Sequence, residues 1–145
     1  MNAGCSSNEG PMSFSKISTP SKIRLLLVED HTILRQGMAQ FLGQEPDIEI
    51  IGEASDGEAA VRLASQLHPD VVLMDLGMPK INGIEATRTI RHDMPQVRVI
   101  GLSMYEERES AEAMLAAGAS MYLTKSGPAK DLIAAIRNCM KSPSA

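Results

Sequence analysis

The chain has 145 residues, a net charge of −4, 43% hydrophobic and 22% charged residues, and no tryptophan. This length allows one domain of ordinary size, and the composition is typical of a folded domain. The excess of acidic residues argues against nucleic-acid binding through a broad basic face. No apolar stretch approaches the roughly 20 residues of a membrane span, and the N-terminus lacks the pattern of a secretory signal. The two cysteines, Cys5 and Cys139, form no Cys-x-x-Cys pair, so we expect free thiols and a cytoplasmic protein.

Three segments differ in composition. Residues 1–22 are rich in Ser, Gly, Asn and Pro and have no apolar period, which predicts a flexible N-terminal tail. Residues 23–141 carry a regular apolar pattern and are predicted to form the folded domain. Residues 142–145 are predicted to be a C-terminal tail or the start of a linker.

Five apolar runs within the domain have the length of β-strands. They are residues 23–28, 48–51, 71–74, 97–102 and 121–123. Segments with helical spacing follow each run. The first has its apolar face at Ile33, Leu34, Met38, Phe41 and Leu42, and the fourth at Ala111, Met114, Leu115 and Ala117. The pairs Asp56-Gly57, Asn82-Gly83 and Gly127-Pro128 mark helix starts. The alternation predicts an α/β fold, a doubly wound five-stranded parallel sheet with helices on both faces.

Polar side chains follow four of the predicted strands. Ligands of open parallel sheets bind at the carboxyl ends of the strands. The residues that reach this edge are Glu29, Asp30, Asp75, Ser103 and Lys125. We therefore expect three acids, one hydroxyl and one lysine to converge there.

Three clustered carboxylates require a cation. At about 4 Å and an effective dielectric constant near 20, each pair repels by roughly 4 kcal/mol. Oxygen ligands completed by water and phosphate favour Mg²⁺. A lysine at the same edge supplies a second positive charge, so the site can hold a phosphoryl group. Asp75 is the candidate nucleophile, because a buried strand positions it, and the product would be an aspartyl phosphate.

Other phosphate-binding classes fit less well. Glu29 and Asp30 stand where a dinucleotide fold needs a Gly-x-Gly-x-x-Gly turn, and no Gly-x-x-x-x-Gly-Lys-Ser/Thr loop is present. A phosphatase of the haloacid dehalogenase type would have an acid in place of Gly77 and its nucleophile after the first strand. A Mg²⁺-dependent phosphohydrolase of another kind stays open. His31 is interpreted as a helix-start residue, since a Mg²⁺ site does not favour imidazole.

Four motifs together resemble the receiver domain of bacterial two-component response regulators, of the NarL/LuxR (FixJ)-like class. They are Val28-Glu29-Asp30-His31, residues 72–83 (VLMDLGMPKING), Gly101-Leu102-Ser103 and Tyr122-Leu123-Thr124-Lys125. The resemblance covers about residues 23–140. It implies a (βα)5 flavodoxin-like fold with strand order 2-1-3-4-5.

The resemblance also implies a role for each matching residue. Asp75 would accept a phosphoryl group from a sensor histidine kinase. Mg²⁺ would be held by Glu29, Asp30, Asp75 and the main-chain carbonyl of Gly77. Ser103 would bind the phosphoryl oxygen, Lys125 would pair with it, and Tyr122 would turn inward on activation. The positions of Gly77 and Tyr105 tune the rate of dephosphorylation in the family.

The partners follow from the same resemblance. The face formed by helix four, strand five and helix five is the usual output surface, and a homodimer is possible on activation. Such a receiver is no enzyme beyond its own phosphorylation and dephosphorylation. It would reach DNA only through an output domain outside these 145 residues. A stand-alone receiver that acts by protein contact, and a degenerate receiver that needs no phosphorylation, stay open. Ser126 stands where the family often has proline after the lysine, which predicts a trans Lys125 peptide.

Overall fold

The computed structural model describes residues 22–76, 82–103 and 108–141, in which strands and helices alternate. The strands are β1 (Ile23–Val28), β2 (Ile48–Ala54), β3 (Val71–Asp75), β4 (Arg98–Ser103) and β5 (Met121–Thr124). The helices are α1 (Thr32–Gly43), α2 (Gly57–Leu67), α3 (Gly83–Asp93), α4 (Arg108–Ala116) and α5 (Ala129–Lys141). The predicted N-terminal tail, apart from Lys22, and the predicted C-terminal tail lie outside the described residues.

The five strands form one parallel sheet in the order β2-β1-β3-β4-β5. The predicted fold class and strand order are therefore confirmed. The order reverses between β1 and β3, because the chain first adds β2 on one side and then β3 on the other. In sheets of this kind the ligand site lies at that reversal, beyond the carboxyl ends of the strands.

Most strands extend further than predicted at their carboxyl ends. β2 continues to Ala54, and Asp75, Ser103 and Thr124 are the last residues of their strands rather than the first residues after them. Parallel pairing explains the difference, since Asp75 pairs with Leu102 and Ser103 with Thr124. Asp75, Ser103 and Thr124 are thus part of the sheet ladder, which restricts their backbone.

The core has two layers, one on each face of the sheet. Leu26 and Val28 point to the layer that α2, α3 and α4 cover, whereas Leu25 and Leu27 point to the layer under α1 and α5. All four side chains are fully buried. A strand covered on both faces has no polar alternation, which is why β1 and β3 are continuous apolar runs in the sequence.

Three residues of the predicted apolar helix faces are exposed. Ile33 is 84% exposed, Leu34 lies at 36% and Leu115 at 48%, and these predictions of burial were wrong. In α1 the buried side chains are Met38 and Leu42. Ile33 lies in the first turn of α1, directly after the loop at the edge of the sheet, so the helix packs on the sheet only from its second turn.

The helix starts that the sequence marks are confirmed. The side chain of Asp56 accepts a hydrogen bond from the Ala59 backbone N–H at 2.8 Å, and that of Asn82 accepts one from Glu85 at 2.9 Å. These are N-cap bonds, which satisfy donors that the first turn of a helix leaves free. α5 begins at Ala129, directly after Pro128.

Three further predictions concern the Lys125 peptide bond, the cysteines and membrane-spanning helices. The described residues contain no cis peptide bond, so the Lys125 peptide is trans as expected. Cys139 is a buried free thiol whose pKa burial raises to about 11, and Cys5 lies outside the described residues. Within the described ranges, no helix combines the length and the hydropathy that crossing a bilayer requires.

Arg137 of α5 fastens this helix to the loop before β2. Its Nε donates to Asp47 Oδ2 at 2.8 Å, and its Nη2 donates to Asp47 Oδ1 at 2.8 Å and to Glu45 Oε1 at 2.7 Å. These bonds to Arg137 hold the pKa of Asp47 below its ordinary value. The cluster lies at the amino end of β2. It is therefore at the opposite edge of the sheet from Glu29, Asp30 and Asp75.

The ion pair of Arg137 with Asp47 predicts that the stability difference between the wild type and Asp47→Asn depends on pH. A carboxyl group whose pKa is lowered on folding stabilises the folded state above its unfolded pKa, and the contribution is lost as the pH falls through the folded pKa. The wild type should therefore be the more stable protein near pH 7, and the difference should shrink below about pH 4. Urea unfolding at several pH values measures it.

Glu49→Gln is the control. Glu49 is an exposed carboxylate of β2 without an ion pair to any described residue. Its substitution should change the free energy of unfolding by no more than about 0.5 kcal/mol. A difference for Asp47→Asn that stays constant down to strongly acidic pH would contradict the assignment.

Candidate functional site

Three side chains from three strands meet at the carboxyl edge of the sheet. Lys125, directly after β5, places its Nζ 2.7 Å from Glu29 Oε1 and 3.0 Å from Asp75 Oδ1. The lysine side chain is 6% exposed, and both carboxylates are buried. One ammonium group thus bridges two carboxylates that would otherwise repel each other in a poorly solvated place.

The same bridge explains the pKa of Lys125. Burial alone would lower this pKa, but the hydrogen bonds and charges of Glu29 and Asp75 outweigh burial and raise it. The lysine is therefore fully charged at neutral pH. A cation that stays charged can neutralise one of the two carboxylates but not both.

Asp30 completes an acidic cluster with Glu29 and Asp75. Together with His31 these residues each offer a ligand atom, and the four atoms lie within 4.8 Å of one another. Burial and then the neighbouring Asp75 raise the pKa of Asp30. The buried Asp30 Oδ1 accepts no hydrogen bond of good geometry from the described residues, although the His31 ring lies 3.3 Å away. A hard divalent cation would satisfy this oxygen and reduce the repulsion, so the residues fit Mg²⁺.

His31 contacts the acids more closely than the sequence indicates. Its Nδ1 lies 3.0 Å from Glu29 Oε2 and 3.3 Å from Asp30 Oδ1. The hydrogen bond to Glu29, and then the charge of Asp30, raise the pKa of His31. His31 is the N-cap residue of α1, as its interpretation as a helix-start residue requires, but its side chain makes no capping bond. At neutral pH a larger fraction of His31 is therefore charged than of a free histidine.

Arg35 is a residue of the site that the sequence analysis missed. Its Nη1 donates to the backbone carbonyl oxygen of Glu29 at 2.8 Å, and its Nε donates to Glu53 Oε1 at 3.1 Å. Side chains of a helix lean towards its N-terminus, so an arginine one turn into α1 can reach back over the loop. The spacing of four residues from His31 is the signal that could have indicated this contact.

Ser103 lies on β4, which pairs with β3, and Tyr122 lies on β5, the next strand beyond β4. Ser103 ends β4, one residue beyond Leu102, the partner of Asp75, and its carbonyl accepts the Lys125 backbone N–H at 2.7 Å. Tyr122 of β5 is half-buried and packs against the core layer under α4. The structure thus places both residues on the strands that lead to the site. The remaining predicted residues, Gly77 and Tyr105, lie outside the described residues.

Gly83 allows α3 to approach the backbone of Asp75. A Cβ atom at this position would collide with the Asp75 carbonyl oxygen and lie 3.0 Å from Leu76 Cα. Backbone atoms cannot move aside as the tip of a side chain can. The start of α3 therefore supports the peptide group that follows the central acid.

Gly83→Ala should displace this backbone and destabilise the protein. We expect a loss of about 1–3 kcal/mol in the free energy of unfolding, typical of overpacking, measured by urea unfolding. Gly37→Ala is the matched control, because a Cβ at Gly37, inside α1, meets nothing within 4 Å. That substitution should stabilise the protein by about 0.5–1 kcal/mol. Equal effects at the two positions would rule out the close approach.

The fold and the edge cluster agree with one protein family. The response regulator receiver domain family matches residues 25–137. The chain belongs to this family. The resemblance to receivers of two-component response regulators of the NarL/LuxR class is thereby confirmed.

Individual relatives support the assignment. The transcriptional regulatory protein LiaR of Bacillus subtilis (strain 168) is 45% identical over 119 residues, which cover 82% of this chain and 56% of LiaR. DegU of Brevibacillus brevis, also a transcriptional regulatory protein, is 40% identical over 117 residues, or 81% of this chain and 50% of DegU. The chain therefore spans about half the length of the curated relatives it matches.

Solved structures show the same fold. The signal receiver domain of the putative response regulator NarL from Mycobacterium tuberculosis superposes with a TM-score of 0.81 at 30% identity, covering 86% of this chain and all of that one. A two-component response regulator of the LuxR family from Aurantimonas sp. SI85-9A1 gives 0.80 at 37% identity, covering 83% of this chain and 86% of that one. The chain is thus a receiver domain with LuxR-family homologues.

Proposed function

We propose that Asp75 of this receiver accepts a phosphoryl group from a sensor histidine kinase in a Mg²⁺-dependent reaction. The observation that carries the proposal is the bridge that Lys125 makes between Glu29 and Asp75 inside the acidic cluster. It places a nucleophilic oxygen, a fixed positive charge and a set of cation ligands within one small space.

The chemistry is a transfer between two nucleophiles. A carboxylate oxygen of Asp75 attacks the phosphorus of a phosphohistidine, the new O–P bond forms, and the P–N bond breaks with the electron pair returning to the imidazole. Asp30 and Asp75, with Glu29 and the Gly77 carbonyl, would hold Mg²⁺, which neutralises the oxygens of the transferring group when bound. Lys125 neutralises the phosphoryl group from the other side.

Charge balance supports the requirement for a cation. Three ionised carboxylates and one ammonium carry a net charge of −2, or −1 in molecules whose His31 is also protonated, before any phosphoryl group arrives. A dianionic donor would be repelled from such a site at short range. One divalent cation cancels the excess, so binding of Mg²⁺ should precede phosphorylation.

The phosphorylated state would differ from the resting one through Lys125. The phosphoryl group adds a charge of about −1.5 to −2 and competes with Glu29 for the ammonium group. Ser103 would supply a hydrogen bond to a phosphoryl oxygen, and Tyr122 would move inward with it. We propose that these movements change the surface of α4, β5 and α5, and that Gly77 and Tyr105 tune dephosphorylation.

We propose three partners for this receiver: a histidine kinase, a DNA-binding output domain and a second receiver. A histidine kinase must bring its phosphohistidine to Asp75, and the exposed Ile33 and Leu34 of α1 lie beside that edge. The names of the relatives support a transcriptional output, with DNA bound by another domain and pairing of receivers on activation. A stand-alone receiver that acts through protein contact is the alternative. The proposal places the protein in the cytoplasm, where such kinases carry their phosphohistidine.

Incubation with acetyl phosphate and Mg²⁺ tests the proposal. The wild type should gain one phosphoryl group per chain, seen by intact mass, and the gain should require Mg²⁺. Asp75→Asn should abolish labelling, because an amide oxygen is a poor nucleophile. Asp93→Asn, at an exposed carboxylate of α3 paired with His92, should label like the wild type.

Three outcomes would overturn this assignment. Labelling of Asp75→Asn at the wild-type level would place the phosphoryl group elsewhere. Continuous release of phosphate from small phosphoesters, without labelled protein, would favour a Mg²⁺-dependent phosphohydrolase. A degenerate receiver would show neither labelling nor Mg²⁺ binding.

A further inference from the structure

We infer that Arg35 is a positioning residue for the Mg²⁺ ligands of this site. The inference rests on the proposed function and assigns a role to a residue that touches neither the phosphoryl group nor the cation. Its basis is one hydrogen bond, from Arg35 Nη1 to the Glu29 carbonyl oxygen at 2.8 Å. Arg35 acts through the loop that joins β1 to α1.

The bonded oxygen belongs to the peptide unit between Glu29 and Asp30. A peptide unit is planar, so the direction of its carbonyl oxygen also fixes the direction in which the chain continues to Asp30. The N–H of Glu29 is held separately, by the Ala54 carbonyl oxygen of β2 at 2.9 Å. The two bonds hold Glu29 on both sides and thereby aim the Asp30 side chain at Asp75.

The arginine itself is held in place. Its Nε donates to Glu53 Oε1 at 3.1 Å, and its side chain is 19% exposed. Its backbone N–H donates to the His31 carbonyl oxygen at 2.8 Å, a bond of the first turn of α1. The planar guanidinium presents donors to its two acceptors in one rigid fork, whereas an ammonium group is a point charge with rotatable donors. We call these contacts of Arg35 with Glu29 and Glu53 the clamp. The clamp links β2, α1 and the loop that carries Glu29 and Asp30.

Loss of the clamp would leave a buried carbonyl oxygen without this donor. An unpaired buried carbonyl is unfavourable, and the loop can reduce the cost by rotating the peptide towards water. Rotation moves Asp30 away from Asp75 and opens the ligand set. Partners that orient a metal ligand typically change metal affinity by about 10–100-fold when they are removed.

Arg35→Met tests the inference, because methionine keeps an apolar stem and removes every donor. Mg²⁺ alone is titrated into each variant by calorimetry, and the initial rate of labelling by acetyl phosphate is measured over a range of Mg²⁺ concentrations. The Mg²⁺ dissociation constant and the half-saturating Mg²⁺ concentration should both rise by at least about tenfold. At saturating Mg²⁺ the labelling rate should recover much of its wild-type value, since Asp75 and Lys125 are unchanged.

Two further variants separate positioning from general stability. Arg35→Lys should restore Mg²⁺ affinity only in part, because an ammonium lacks the planar fork that holds the Glu29 carbonyl oxygen and the Glu53 carboxylate in fixed directions. Arg137→Met is the matched control, since Arg137 is also a helix arginine that donates to two residues, here the carboxylates of Glu45 and Asp47 at the other edge of the sheet. It should lower thermal stability and leave Mg²⁺ affinity within about twofold of the wild type.

The outcomes distinguish this inference from the proposed function. A wild type that neither binds Mg²⁺ nor labels would overturn the proposed function and the inference with it. If the wild type is phosphorylated and Arg35→Met binds Mg²⁺ as tightly as the wild type, the inference alone is overturned. If Arg35→Met does not fold, Arg35→Lys decides, and unchanged affinity there contradicts the clamp.

Discussion

The ion bridge from Lys125 to Glu29 and Asp75 is the interaction on which the rest of the site depends. Two carboxylates this deeply buried are costly unless each has a charged partner, and here one ammonium group serves both. The bridge crosses the sheet, since Glu29 follows β1, Asp75 ends β3 and Lys125 follows β5. Each of its two ion pairs therefore links the end of β5 to a strand that is not its neighbour, and any change in the charge of Asp75 reaches β5 through the lysine.

The sheet holds these groups with unequal rigidity. All five residues of β3 are buried, between β1 and β4 and with helices on both faces. Among the residues that the structure describes, β5 is an edge strand that pairs with β4 alone, and none of its residues is fully buried. Asp75 thus stands on the firmest strand and Lys125 follows the least constrained one. A phosphoryl group on Asp75 would draw the lysine more easily than it would move the acid.

The sequence predicted the architecture and the edge cluster well, because both follow from periodic patterns. Strand ends decide which side chains meet, so even approximate ends brought Glu29, Asp75 and Lys125 together. Burial of Ile33 was predicted wrongly, because helical spacing shows which residues share a face but not where the sheet beneath the helix ends. The contacts of His31 and Arg35 were missed for a related reason. Both depend on the path of a short loop, which no apolar period encodes.

The strength of these contacts also limits how the proposed switch can work. A hydrogen bond to a charged group contributes about 1.5–3 kcal/mol to stability. Conversion of a two-state equilibrium from about 1:99 to 99:1 needs about 5.5 kcal/mol of differential binding. The exchange of Glu29 for a phosphoryl group by Lys125 is therefore too small by itself, because the lysine loses one charged partner as it gains another. A second contact, such as the hydroxyl of Ser103, must add to it, and its position at the end of the neighbouring strand β4 suits that role. The energy of the switch would then come from at least two strands, which is why β4 and β5 should move together.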